Sequence, residues 1–188
     1  MTHIPGIGHN SGRDPSGAAG RVHRWRQARR ALLGAALPVE VIRMRMRRAA
    51  ELGLDYSTYA GVRAGTGRDV VAILFSSNAL GMERGAPDPA RLARLATVGA
   101  ERGVLIHAPA PVRVPAPLDW AAPAPRFVDG WRDMRRHLRA VLAERRLPAD
   151  AVLVVGETAF ERDWCGALRA AGYVPADRYF ASASGGRA

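Results

Sequence analysis

The chain has 188 residues, 48% of them hydrophobic, which is enough material for one good hydrophobic core. Its 28 basic residues are all Arg, and with 17 acidic residues the formal net charge is +11. The absence of Lys excludes a Schiff-base Lys, a P-loop Lys and the Lys of many nuclease sites. Arg can bind phosphate bidentately, but it cannot act as a base near neutral pH.

Cysteine usage and hydropathy indicate the compartment. Cys165 is the single Cys, so the chain forms no intramolecular disulfide and has no Cys-based zinc site. Cys165 lies within a helical pattern, and we expect it to be buried rather than nucleophilic. No apolar run approaches the roughly 20 residues of a membrane span, and the N-terminus lacks a secretory apolar region. We therefore expect a cytoplasmic protein.

The positive charge is concentrated near the N-terminus. Residues 1–48 hold ten Arg against Asp14 and Glu40, a local net charge of +8, whereas the remaining residues carry only +3. Such a segment typically meets a nucleic acid backbone and, less often, an anionic membrane. The distribution predicts a nucleic-acid partner, with DNA favoured over RNA, and no membrane partner. It says nothing of oligomeric state.

The first 18 residues are rich in Gly and Pro and show no periodicity, so they are predicted to be a flexible arm. Residues 4–12, IPGIGHNSG, resemble a short N-terminal tag that is found on assorted bacterial proteins, many of them associated with phages or plasmids. The resemblance implies a bacterial source and transfers no activity. His3 and His9 in this arm have no rigid geometry, and we expect no metal site there.

Residues 19–65 are predicted to form a basic helical segment. Residues 21–33 have helical periodicity, and Pro38 begins a second helix whose core face contains Val39, Ile42, Met46 and Ala49. The predicted phosphate contacts on these helices are Arg21, Arg24, Arg26, Arg29, Arg30, Arg43, Arg47 and Arg48.

Residues 45–64 resemble a helix-turn-helix. Ala49 would be the small packed residue and Gly53 the turn glycine, while Ser57, Thr58 and Arg63 would face a DNA groove. The pattern departs from the motif at Arg48, where an apolar residue is usual, and at Gly61, inside the recognition helix. The alternative is an ordinary helical hairpin that packs on the following domain.

From residue 66 to residue 181 the pattern is that of a small three-layer α/β domain. Apolar runs at 70–75, 104–106 and 151–155 predict parallel strands alternating with helices. We expect this domain to fold without the basic segment and residues 182–188 to be a flexible tail. Trp131 and Trp164 are predicted on inner helix faces, and residues 179–180 as an edge strand.

Residues 108–125 contain six of the 13 Pro of the chain. Such a segment favours polyproline II and cannot join a sheet interior. We interpret it as a stiff surface connection; the alternative is a peptide ligand for an aromatic-lined groove.

Polar residues follow the predicted strands, and the carboxyl ends of parallel strands are where ligands bind. Ser76, with Ser77 and Asn78, follows the first strand, His107 follows the second, and Glu157 follows the third. Ser76, His107 and Glu157 are therefore the candidate catalytic residues, although each could instead be a turn, loop or helix-end residue.

Named catalytic and nucleotide-binding motifs are missing from the sequence, and we expect no cofactor and no metal. Two hypotheses follow. In the first, the protein is a nucleic-acid-associated binding protein whose basic helices contact phosphates. In the second, it is a small α/β enzyme or ligand-binding domain with a polar site at the carboxyl ends of its strands.

Overall fold

The computed structural model describes residues 37–181. The chain divides into two units between Ile42 and Arg43, and the second unit contains the β-sheet. The strands are β1 (Ala72–Ser76), β2 (Glu101–Ile106), β3 (Trp120–Pro123), β4 (Val152–Gly156) and β5 (Gly172–Pro175). Within the described residues, the α-helices are α1 (Val39–Glu51), α2 (Tyr56–Thr66), α3 (Pro89–Leu95), α4 (Trp131–Glu144), α5 (Ala159–Leu168) and α6 (Ala176–Ala181).

The five strands form one parallel sheet in the order β3-β2-β1-β4-β5. The central strand β1 pairs with β2 on one side, where Ala72 is opposite Glu101, and with β4 on the other, where Ala72 is opposite Val152. Every residue of β1 and β4 is buried, because helices cover both faces of the sheet. The predicted small three-layer α/β fold is confirmed.

Each face of the sheet has its own hydrophobic cluster. On one face, Ile73 and Phe75 of β1 share a cluster with side chains of α1, α2, α3 and α6. On the other face, Ala72 and Leu74 share a cluster with side chains of α4 and α5, including the fully buried Trp164. The alternation along β1 follows from the period of two in a strand.

The first cluster crosses the expected division at residue 65. Ala49, Leu52, Leu54 and Tyr59 lie in the same buried cluster as Phe75. The hydroxyl of Tyr179 in α6 also donates a 3.0 Å hydrogen bond to the Leu52 carbonyl. Helices α1 and α2 therefore supply part of the core on this face, and truncation of the chain would test whether residues 66–181 fold alone.

Two edge strands differ from the prediction. β3 lies inside the Pro-rich connection, where Gly103 of β2 pairs with Trp120 and Ile106 pairs with Pro123. Its position at the edge tolerates the missing N–H of Pro123. At the other edge, the strand is β5, and Tyr179 and Phe180 lie in helix α6, so the expected edge strand at 179–180 is wrong.

The two predicted inner tryptophans have different environments. Trp164 is 0% exposed, as expected, but Trp131 is 53% exposed. Trp131 is the first residue of α4, and its ring edge lies over Gly166 of α5. The prediction that Trp131 is protected is wrong, because at this first helical position more than half of its surface is exposed.

Helices α1 and α2 are joined by a tight turn. Gly53 has a φ of 69°, which suits its predicted place as the turn glycine. Asp55 caps α2 by accepting a 2.8 Å hydrogen bond from the Thr58 amide. Arg94 of α3 donates to the carbonyls of both Gly53 and Phe180, which ties this turn to α6. Sequence and structure agree on a pair of helices in this region.

Candidate functional site

The candidate site lies at the carboxyl edge of the sheet. The chain leaves β1 toward β2 and β3 and then returns through α4 to β4 on the opposite side of β1. The reversal makes the carboxyl ends of β1 and β4 a topological switch point, the usual ligand crevice of open parallel sheets.

Glu161 of α5 occupies this crevice and is 0% exposed. It belongs to a capping box: Thr158 Oγ1 accepts a hydrogen bond from the Glu161 amide, and the Glu161 carboxylate accepts one from the backbone of Thr158. Its Oε2 accepts hydrogen bonds from the backbone amides of Glu157, at 2.6 Å, and Thr158, at 3.0 Å. One carboxylate oxygen is thus held by the first turn of its own helix.

The other carboxylate oxygen of Glu161 contacts side chains that follow two further strands. Asn78 Nδ2, after β1, donates to Oε1 at 2.9 Å, and His107 Nε2, after β2, lies 3.0 Å from the same oxygen. The Ser76 hydroxyl also hydrogen-bonds to the carboxylate. These contacts join the ends of β1, β2 and β4 around one buried acid.

The balance of forces keeps this acid ionised. Burial acts to raise the pKa of Glu161, but the hydrogen bonds from His107, from two backbone amides and from Ser76 together lower its pKa below the usual value. A buried carboxylate with several donors is stable only while those donors remain in place. The network therefore fixes the position of His107.

Gly156, the last residue of β4, makes room for the acid. A Cβ at this position would lie 2.8 Å from Glu161 Cβ and 2.9 Å from its Oε2. Both distances are shorter than non-bonded contacts allow. The glycine thus permits the close approach between β4 and α5 that places the carboxylate in the crevice.

Aromatic rings enclose His107, whose side chain is only 10% exposed. The Phe127 ring stacks on the imidazole with 5.1 Å between centroids and an 11° interplanar angle. Trp164 and Phe160 contact it from other directions, at 5.4 Å and 6.2 Å. The surroundings exclude water from most of the ring and hold its plane.

A cleft of about 520 Å³ opens beside His107. Its walls include Ser77 and Asn78 after β1, His107 with Pro109 after β2, and Phe127 before α4. Its size lies in the range of small-molecule sites, and its lining is mostly apolar with a few polar groups, as such sites require.

The structure brings together two of the three candidate catalytic residues. Ser76 and His107 both contact Glu161. Glu157 contributes only its backbone amide to the network, and its half-exposed carboxylate lies 3.9 Å from Arg91 Nη1. The carboxylate within the network is that of Glu161, four residues later, and the catalytic role of Glu157 stays a prediction.

Glu161 was missed as a site residue because its sequence signal has a structural meaning. The pattern Thr158-x-x-Glu161 predicts a capping box, and that box forms. Only the tertiary structure shows that the same carboxylate also reaches Asn78 and His107 from other strands.

The predicted nucleic-acid contacts fall into three groups. Arg43 and Arg47 are exposed on α1, whereas Arg48 is half-buried and donates to Asp69, Glu51 and the carbonyls of Val70 and Gly99. The hydroxyls of Ser57 and Thr58 donate to Asp55, at 2.5 Å and 2.6 Å, and Arg63 interacts with Tyr59. The others lie outside the described residues: Arg21, Arg24, Arg26, Arg29 and Arg30.

Within residues 37–181, no three His, Cys, Asp or Glu side chains come together as a potential set of metal ligands. In the same range, no helix has the length and apolar character needed to cross a bilayer. Cys165 is partly buried on α5, and burial raises the pKa of its thiol. A raised pKa disfavours the reactive thiolate, as expected for a packing residue.

Comparison with known proteins gives no match for this chain among protein-family models, curated proteins or solved structures.

Proposed function

We propose that this protein binds a small molecule in the cleft beside His107 and that His107, oriented by Glu161, exchanges a proton with it. The observation that carries the proposal is the 3.0 Å contact between His107 Nε2 and a fully buried carboxylate. An ionised Glu161 accepts a hydrogen bond from Nε2–H of His107. In that tautomer of the neutral ring, Nδ1 carries no proton and can accept one.

The second ring nitrogen supports this role. His107 Nδ1 forms no hydrogen bond with any described residue, and His107 lines the cleft. A carboxylate that fixes the tautomer of a histidine, while the other nitrogen faces a ligand, is the usual arrangement of a general acid–base pair. The reaction class that fits is proton transfer to or from a small, largely apolar ligand.

Ligand binding and the tautomer of His107 together test the proposal. A thermal-shift screen of small molecules against the full chain should yield ligands whose binding is lost in His107→Gln and weakened at least tenfold in Glu161→Gln. NMR of the labelled imidazoles should report the Nε2–H tautomer of His107 in the free protein. His137→Gln is the control, because His137 bonds the Pro123 carbonyl and does not line the cleft. Ligands that bind equally well to all variants would refute the proposal.

A second proposal concerns the basic helices. Arg43 and Arg47 are exposed, stand one helical turn apart on α1 and form no ion pair within the described part of the chain. Together with the arginines upstream of residue 37, they support a nucleic-acid-associated role in which α1 contacts phosphates. The α1–α2 pair would then serve as a helix-turn-helix-like unit in a protein of bacterial source.

Salt dependence tests the second proposal. Five or six phosphate contacts predict a slope of log Kd against log salt of about 4 to 6 in magnitude for duplex DNA. Replacing Arg43 and Arg47 by Gln should reduce that slope by about 2, and deleting residues 1–36 should reduce it further. A flat salt response, or unchanged affinity in both variants, would contradict a nucleic-acid role.

A further inference from the structure

We infer that a cleft between α1 and α2, which shares no lining residue with the His107 cleft, binds a phosphate group. The cleft has a volume of about 480 Å³. Four arginines and two acids line it, a net charge of +2: Arg45, Arg47, Arg48 and Arg63 with Glu51 and Asp69. A cavity of this size with surplus positive charge is suited to a compact anion.

The two acids of the cleft are already paired. Arg48 Nε lies 2.9 Å from Asp69 and its Nη1 lies 3.0 Å from Glu51. Asp69 also accepts from the Tyr59 hydroxyl and the Val70 amide, both at 2.9 Å. Arg48 therefore acts as a structural cation that holds both carboxylates, and the other three arginines leave the cleft with a net charge of +2.

The remaining arginines are the functional part of the cleft. Arg45, Arg47 and Arg63 form no ion pair with a described residue. The Arg45 Nε is buried and has no hydrogen-bond acceptor in the described structure. A buried donor on a cation without an acceptor is unfavourable, so a bound oxyanion at this point would stabilise the fold.

The chemistry favours phosphate over other anions. Guanidinium groups match phosphate oxygens in paired, planar hydrogen bonds, and several such groups converge in this cleft. A phosphate monoester carries a charge of about −1.5 to −2 at neutral pH, which balances the +2 of the cleft. A nucleic acid phosphodiester has the same oxygen chemistry with half the charge. The inference goes beyond both functional proposals, since it concerns a phosphate group whether small or polymeric.

Binding of inorganic phosphate to the full chain is the direct measurement, by calorimetry and by the shift in Tm at constant ionic strength. Phosphate should bind and raise the Tm, whereas equal concentrations of chloride should not. Arg45→Gln and Arg63→Gln should each weaken phosphate binding at least tenfold. Arg139→Gln is the matched control, because Arg139 is exposed on α4 outside the cleft and loses the same charge.

Absence of phosphate binding, or equal weakening in the Arg139 control, would overturn the inference. Unfolding curves in phosphate-free buffer separate lost binding from lost folding, and Arg63→Gln provides the second variant if Arg45→Gln is unstable. Competition then identifies the source: displacement by a nucleoside monophosphate indicates a small phosphorylated ligand, and displacement by a DNA duplex indicates backbone phosphates. Failure of the His107 tests would leave this result unaffected.

Discussion

Two charged clusters in the described part of the chain, one around Glu161 and one in the α1–α2 cleft, are built in opposite ways. At the carboxyl edge, Glu161 is buried with donors around both oxygens, so its charge is fully used within the fold. In the α1–α2 cleft, Arg48 is satisfied in the same manner, but Arg45 has a buried donor without an acceptor among the described residues. A charged group whose hydrogen bonds are all made within the fold orients its neighbours. A charged group with an unused donor beside a cleft would be stabilised by a bound ligand.

Both clusters depend on the packing of α1 and α2 against the sheet, so truncation of the chain should have the largest effect. A chain starting at residue 66 lacks Ala49, Leu52, Leu54 and Tyr59, all buried against the sheet. We expect residues 66–181 to lose cooperative unfolding in urea, while residues 37–181 retain a single transition. A cooperative transition in the shorter chain would mean that α1 and α2 are dispensable for the sheet.

Removing the acid at the carboxyl edge should have the next largest effect. Glu161→Ala leaves Asn78, His107 and two backbone amides without their acceptor in a buried site. We expect a loss of roughly 3 to 5 kcal/mol in the free energy of unfolding. Glu161→Gln keeps the shape and should cost less. Equal stability of the wild type and Glu161→Ala would show that the network is not formed in solution.

The same acid should make stability depend on pH. Its pKa is lowered in the folded protein, so its contribution is fully present above the unfolded value, about 4.3, and is lost as the pH falls through the folded value. Urea unfolding between pH 7 and pH 3 should show stability falling below about pH 4.3. The fall should be shallower in Glu161→Gln; identical slopes would remove Glu161 from the explanation.

Much of the fold can be predicted from the sequence, because β1 and β4 are buried on both faces and so appear as uninterrupted apolar runs. Edge strands lack that signal: β3 lies within Pro-rich sequence, and residues 179–180 have strand-like composition yet lie within helix α6. The site was half predictable. Parallel topology placed Ser76 and His107 at one edge, but which acid they meet depends on the turn of α5 and on the space at Gly156.

The N-terminal cap of α2 should contribute less to stability than the buried acid does. Asp55 caps this helix, and hydrogen bonds from the Ser57 and Thr58 side chains hold the pKa of its carboxyl well below the usual range. Asp55→Ala should cost about 1 kcal/mol of unfolding free energy, because the cap is partly solvated. Ser57→Ala keeps the backbone cap from Thr58 and should change stability by less than about half of that. If both variants weaken phosphate binding as strongly as Arg45→Gln does, then the cleft depends on the position of α2 as a whole. If phosphate affinity is unchanged while stability falls, the arginines alone form the site.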